Sequence, residues 1–232
     1  MKSTGSKKAG CDVNTCLVGF TGDVYACDVK DQNCPILRNL HIRRIESAGI
    51  YKRFHNCTFE SIEKREVPAR IRTQYAEVKS FADNLKENLD EGRGLLLKGS
   101  VGTMKTTLAV AVLQKHIADG GAGLFITMPS LLDNIFTLKA KSQEEWANYE
   151  QKIRETPLLI LDDMGSEHTE GWVLTKVDAI ISERYNRCRS IIITTNLSTE
   201  QLKDTYAERV IDRLRSTLLV INFAGQSFRQ PA

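Results

Sequence analysis

The sequence predicts an α/β protein, a parallel five-stranded sheet between layers of helices, and three observations carry that prediction. Five short apolar runs, GLLLKG, GLFITM, PLLILDD, SIIITTN and TLLVINF, show almost no polar alternation. This is the texture of strands buried on both faces. Longer amphipathic stretches separate them at Thr106–Ala118, Ser130–Lys139, Glu144–Glu155, Trp172–Arg187 and Thr199–Arg213, long enough for helices and crossover connections. The first run also leads through a glycine-rich turn directly into a helical pattern.

Composition sets the outer bounds. With 232 residues, 41% hydrophobic and 26% charged, and a mean hydropathy of −0.28, the chain reads as a soluble globular protein. No apolar run approaches the roughly 20 residues that a bilayer span requires. The opening MKSTGSKKAG is basic but leads into CDVNTC, so no secretory signal is expected and the expected location is cytoplasmic. The net charge of +3 is unevenly placed, with nine basic and four acidic residues between Arg38 and Arg72. Such an excess reads either as a footprint for phosphate backbones or as a solvated helix face.

Taken in order, residues 1–10 are Lys, Ser and Gly and read as a disordered tail. Cys11, Cys16, Cys27 and Cys34 have the count for a four-cysteine zinc site, although neither spacing is the compact two-residue knuckle. His41 and Cys57 are substitutes for one ligand. Thiols are the alternative reading, and Cys188 reads as a buried thiol. Helical spacing is present over Ile36 to Ile50 and again from Pro68, suited to a first turn, to Leu89. Asp90-Glu-Gly-Arg-Gly94 then breaks the pattern.

Chemistry concentrates after the first strand. Gly99-Ser100-Val101-Gly102-Thr103-Met104-Lys105-Thr106-Thr107 has the strand, turn and helix context of a phosphate-binding P-loop. Its amides would face phosphate oxygens, with Lys105 neutralising charge and the Thr106 hydroxyl ligating Mg2+. Met104 departs from the pattern, which has glycine before the lysine. Its Cβ is expected to crowd the phosphates or to force a backbone angle that only glycine accepts easily. The third strand ends in Asp162-Asp163, placed to hold Mg2+ and to activate water, respectively. Asn196, ending the fourth strand, reads as a contact for water or γ-phosphate, or else as a helix cap. Glu208-Arg-Val-Ile-Asp-Arg213-Leu-Arg215 is an arginine-rich helix, and Arg229 follows the fifth strand.

In this order and spacing, GSVGTMKTT, LLILDDMG, IITTN, ERVIDRL and FAGQSFR resemble the bacterial replicative-helicase loaders of the DnaC/DnaI type and the related IstB transposition helpers, both AAA+ ATPases. The phrase AGIYKRFHNCTFESI resembles the linker ahead of their ATPase core, so the similarity spans Cys34 to Arg229. The resemblance implies a cysteine-bearing helicase-docking region and linker over residues 11–60 and an AAA+ ATPase domain over residues 61–232, with little or no C-terminal lid. It makes Asn196 sensor 1, Arg213 an arginine finger acting in trans with Arg209 as its rival, and Arg229 sensor 2 in cis. It places single-stranded DNA against Phe136, Lys139, Lys141 and Trp172. Of these, Phe136 reads equally as core and Trp172 as exposed. The implied cofactors are ATP and Mg2+, with Zn2+ at the cysteines. The implied partners are a hexameric replicative helicase, single-stranded DNA and further copies of the chain, with no membrane. Two other readings stay open: a helper that binds double-stranded DNA and recruits a transposase, and a nucleotide-switched adaptor in which Met104 has abolished hydrolysis.

Overall fold

The structure is a computed structural model and describes residues 35–166 and 171–229. Cys11, Cys16, Cys27 and Cys34, and with them the zinc expectation and the tail, lie outside the described residues.

Four helices come first: α1 (Pro35–Ser47), α2 (Phe59–Lys64), α3 (Arg72–Asp83) and α4 (Leu85–Asp90). The predicted single helix from Pro68 to Leu89 is instead a short 3-10 turn at Ala69–Ile71 followed by α3 and α4. Asn84 makes the break. Its side-chain amide donates to the Ser80 carbonyl at 2.9 Å, an alternative to the helical ladder that this residue type readily offers.

The rest alternates as expected: β1 (Gly94–Gly99), α5 (Lys105–Ala118), β2 (Gly123–Thr127), α6 (Met128–Lys141), α7 (Gln143–Glu155), β3 (Leu158–Met164), α8 (Gly171–Asn186) and β4 (Ser190–Thr195). Then come α9 (Thr199–Thr205), α10 (Glu208–Thr217) and β5 (Leu218–Phe223). The stretch read as Thr199–Arg213 is thus two helices, because Tyr206 and Ala207 are extended and Tyr206 is buried between them. Ser198 caps α9 through a reciprocal pair with Gln201.

All strand pairs are parallel, in the order β2-β3-β4-β1-β5. Successive strand residues face opposite sides, and here both sides are core. Leu95 and Leu97 join α3 and α5 on one face, whereas Leu96, Ile191 and Ile193 join α6, α8 and α10 on the other. That double burial is why the runs carry no polar alternation. Each fully buried Leu or Ile contributes about 1.5–3 kcal/mol. The edge strand β5 is the exception, with Leu219 and Val220 exposed.

Ahead of the sheet, the linker packs on the same core through Ile45, Ala48, Ile50, Phe59 and Ile62. The Phe125 amide at the β2 edge donates to the Ala48 carbonyl at 2.7 Å. Cys188 corrects an expectation: it is exposed, not buried, in the turn after α8 with φ of 49°. The chain reverses at the surface there, and its amide donates to the Tyr185 carbonyl.

Candidate nucleotide site

The strand order decides the site. Because β4 lies between β1 and β3, the carboxyl end of β4 falls between the glycine-rich turn and the acidic pair. Ligands of open α/β sheets bind in the crevice beyond such strand ends.

The turn over residues 99–104 is held open by backbone that glycine permits. Gly102 has φ of 78°, and a Cβ there would lie 2.0 Å from the Ser227 hydroxyl. Met104 takes φ of 74° and ψ of 9°, so the sequence expectation about its backbone angle is met by a methionine in the left-handed region. That conformation costs a non-glycine residue about 1–2 kcal/mol. The Met104 side chain offsets part of it by packing against the core.

Lys105 opens α5 and is buried. Its ammonium donates to the Gly99 carbonyl at 2.7 Å, the Ser100 carbonyl at 2.8 Å and Asn196 Oδ1 at 2.9 Å. Burial pushes its pKa down, while the charges of Asp163 and Asp162 act in the other direction. Thr106 Oγ1 donates to Asp162 Oδ1 at 2.8 Å, and Thr194 Oγ1 to the same oxygen at 2.7 Å. Burial raises the Asp162 carboxyl above its ordinary value, against these hydrogen bonds.

A register shift between Leu161 and Met164 leaves Asp163 at φ of 61°. Such a bulge re-aims a side chain at the end of a strand. Asp163 accepts a hydrogen bond from Asn196 Nδ2 at 2.9 Å, and its amide donates to Thr194 Oγ1. Asn196 therefore bridges Lys105 and Asp163, and the helix cap is left to Ser198. Strained backbone of this kind is concentrated at functional sites.

A cavity of about 530 Å³ joins these groups. Val101, Gly102, Thr103, Met104, Lys105, Thr106 and Thr107 line it together with Asp162, Asp163, Asn196 and Arg229. Gly99 and Ser100 contribute the carbonyls that hold Lys105. The donor set fits ATP with Mg2+: a buried cation surrounded by carbonyls invites an anion, and a hydroxyl touching a carboxylate is a hard-oxygen pair suited to Mg2+. Sequence reasoning missed Tyr51, Arg53 and Phe54, which line the cavity from the linker. The aromatic and basic phrase around Tyr51 was the available signal, but only the fold brings it to the crevice.

Arg209 and Arg213 are not among the cavity-lining residues. Both pair with Asp178 on α8: Arg209 Nε lies 2.6 Å from one carboxylate oxygen and Arg213 Nη1 3.4 Å from the other. Burial alone would raise the Asp178 carboxyl, but hydrogen bonds from Arg209 and Ser182 hold it below its ordinary value. Arg209 remains 68% exposed and Arg213 27%.

Away from this cavity, Phe136 on α6 is 59% exposed and so is not core. Its ring meets Trp172 of α8 edge-on at a centroid distance of 4.6 Å. Trp172, expected to be exposed, is half-buried because it packs against the second core cluster. Lys141, ending α6, is exposed, and the Lys139 side chain lies outside the described residues. Among the described residues, which include His41 and Cys57, no group of three or more His, Cys, Asp or Glu is placed to hold a metal ion.

A parallel sheet in this order, with a lysine loop, an acidic pair and a polar strand end converging on one cavity, defines a P-loop nucleotide-binding protein of the AAA+ class. The family model described as IstB-like ATP binding protein matches residues 48–232, and the chain belongs to that family. The chain is 27% identical over 190 residues to the replicative helicase loader DnaC of Buchnera aphidicola subsp. Schizaphis graminum, covering 81% of this chain and 75% of the relative. It is 23% identical over 223 residues to the replicative helicase loader DnaI of Bacillus subtilis, covering 88% of this chain and 70% of the relative. Among solved structures, the crystal structure of the DnaC helicase loader matches with a TM-score of 0.66 and 28% identity, covering 75% of this chain and 99% of that one. No helix among the described residues is long and apolar enough to cross a membrane.

Proposed function

We propose that the chain is a cytoplasmic ATPase that loads a hexameric replicative DNA helicase onto single-stranded DNA, assembling with further copies of itself when ATP is bound. The observation that carries the ATPase reading is the continuous chain Lys105, Asn196, Asp163, with Thr106 and Asp162 beside it. Bound Mg·ATP supplies the phosphoanhydride to be cleaved and the metal charge that favours cleavage. Lys105 exchanges carbonyl partners for phosphate oxygens. Thr106 and Asp162 present the metal-facing oxygens. Asp163, held by Asn196, orients water and accepts its proton.

The named loader relatives support the helicase partner, with the N-terminal region as the docking part. Residues 11–60 form that region and linker in this reading, and residues 61–232 the ATPase domain. The position of Arg213 outside its own cavity supports a role as a finger toward a neighbour's nucleotide. The exposed Phe136 ring against Trp172, with Lys141 at the end of the same helix as Phe136, supports stacking of single-stranded bases with phosphate neutralisation.

The description of the matching family model favours one second reading, an IstB-type helper that binds double-stranded DNA and recruits a transposase. ATP turnover separates the two when it is measured alone, with single-stranded DNA and with double-stranded DNA, beside a Lys105→Ala control. Turnover stimulated by single strands and lost in the control is expected. Stimulation by duplex alone would favour the helper, and ATP binding without any turnover would favour a nucleotide-switched adaptor.

A further inference from the structure

The segment after β5 folds back over the phosphate loop. The Phe228 amide donates to the Gly102 carbonyl at 2.9 Å, and Ser227 lies so close that only glycine fits at position 102. Arg229 follows directly and lines the nucleotide cavity. The strap lies outside any helix or strand and its residues are largely exposed.

One side chain from far along the sequence grips it. Arg70, in the 3-10 turn before α3, places its guanidinium 3.6 Å from the centre of the Phe228 ring and donates through Nη2 to the Gln226 carbonyl. The strap bends at Gly225, where φ is 110° and a Cβ would sit 3.6 Å from the Arg70 side chain. A planar guanidinium both stacks on a ring and donates in its own plane, which an ammonium does less well. No carboxylate pairs with Arg70 among the ion pairs of the described residues.

We infer that Arg70 is a positioning residue for nucleotide binding: by clamping Phe228 and Gln226 it holds the strap on Gly102 and so presents Arg229 to the phosphates. The inference rests on the reading that Arg229 contacts bound nucleotide.

The test is a mutant cycle on the full chain, with a fluorescent ATP analogue and Mg2+ as probe and thermal unfolding as a second readout. Arg70→Ala is expected to weaken binding roughly three- to tenfold, the combined scale of one exposed cation–π contact and one hydrogen bond. Arg229→Ala is expected to weaken it at least as much, and the double variant no further than Arg229→Ala alone. Phe228 also lines the cavity, so Phe228→Leu, which removes the ring but leaves the Gln226 hydrogen bond, should show part of the Arg70→Ala loss in a fully folded protein and add little when built on the Arg70→Ala background. Additive losses, or an Arg70→Ala protein that binds like the unaltered chain while Arg229→Ala does not, would overturn the clamp alone. An Arg229→Ala protein with unchanged affinity would remove Arg229 from the site and the clamp with it.

Discussion

At Asp162 stability and function pull in opposite directions. The carboxyl is buried and accepts from Thr106 and Thr194, and burial raises its pKa above the ordinary 3.8. A folded-state pKa above the unfolded one means that the folded protein binds the proton more tightly, so stability falls as pH rises from the unfolded toward the folded value. The cost is fully present above the folded pKa. Asp162→Asn keeps the accepting Oδ1 and removes the charge, so it should raise the unfolding temperature at neutral pH and lose that advantage in acid below about pH 4. The same variant should abolish Mg2+-dependent turnover. Calorimetry across pH beside an ATPase assay checks both, and a variant less stable at neutral pH would contradict the account.

Met104 poses a related question with opposite chemistry. A glycine there would relieve the left-handed strain but add about 0.5–1 kcal/mol of unfolded-state entropy and lose the side-chain packing, so net stability should change little. What changes is room at the phosphate loop. Met104→Gly is expected to tighten ATP binding severalfold with an unfolding temperature within a few degrees of the original. Unchanged or weaker binding by titration would mean that the methionine does not limit the site.

At the scale of elements, α8 and α10 make a single arginine-presenting unit. Asp178 shares its two carboxylate oxygens between Arg209 and Arg213, so removing either arginine leaves the other paired. Arg213→Ala should therefore fold, bind ATP almost normally and lose stimulated turnover by about a thousandfold, the lower range for a removed arginine finger. Full activity in Arg213→Ala together with collapse in Arg209→Ala would move the role one turn toward the start of α10.

For the whole molecule, the proposed role of Arg213 at a neighbour's nucleotide makes turnover a property of the assembly. Specific activity should rise with protein concentration and fall when inactive Arg213→Ala chains are mixed with active ones, as dilution assays would record. Proportional, unpoisoned activity would point to a self-sufficient monomer.

Much of this molecule is legible in one dimension because its signals are local. Five strands buried on both faces must read as unbroken apolar runs, and a loop that wraps phosphate must place glycine, lysine and threonine at fixed spacing. The five strands, the loop and the acidic pair were therefore determined by the sequence itself. Other features depend on what the chain meets after folding. The insertion of β4 between β1 and β3 decided that Asn196 would bridge Lys105 and Asp163 and not cap a helix. Packing decided that Arg184 would lie buried, donating to the Ile153 carbonyl at 2.7 Å, with desolvation pushing its pKa down to about 9. Only the tertiary structure carried Tyr51, Arg53 and the closing strap to one cavity, and Arg70 onto that strap, because contacts between segments so far apart in the chain are set by how whole layers pack and leave no periodic mark in the sequence.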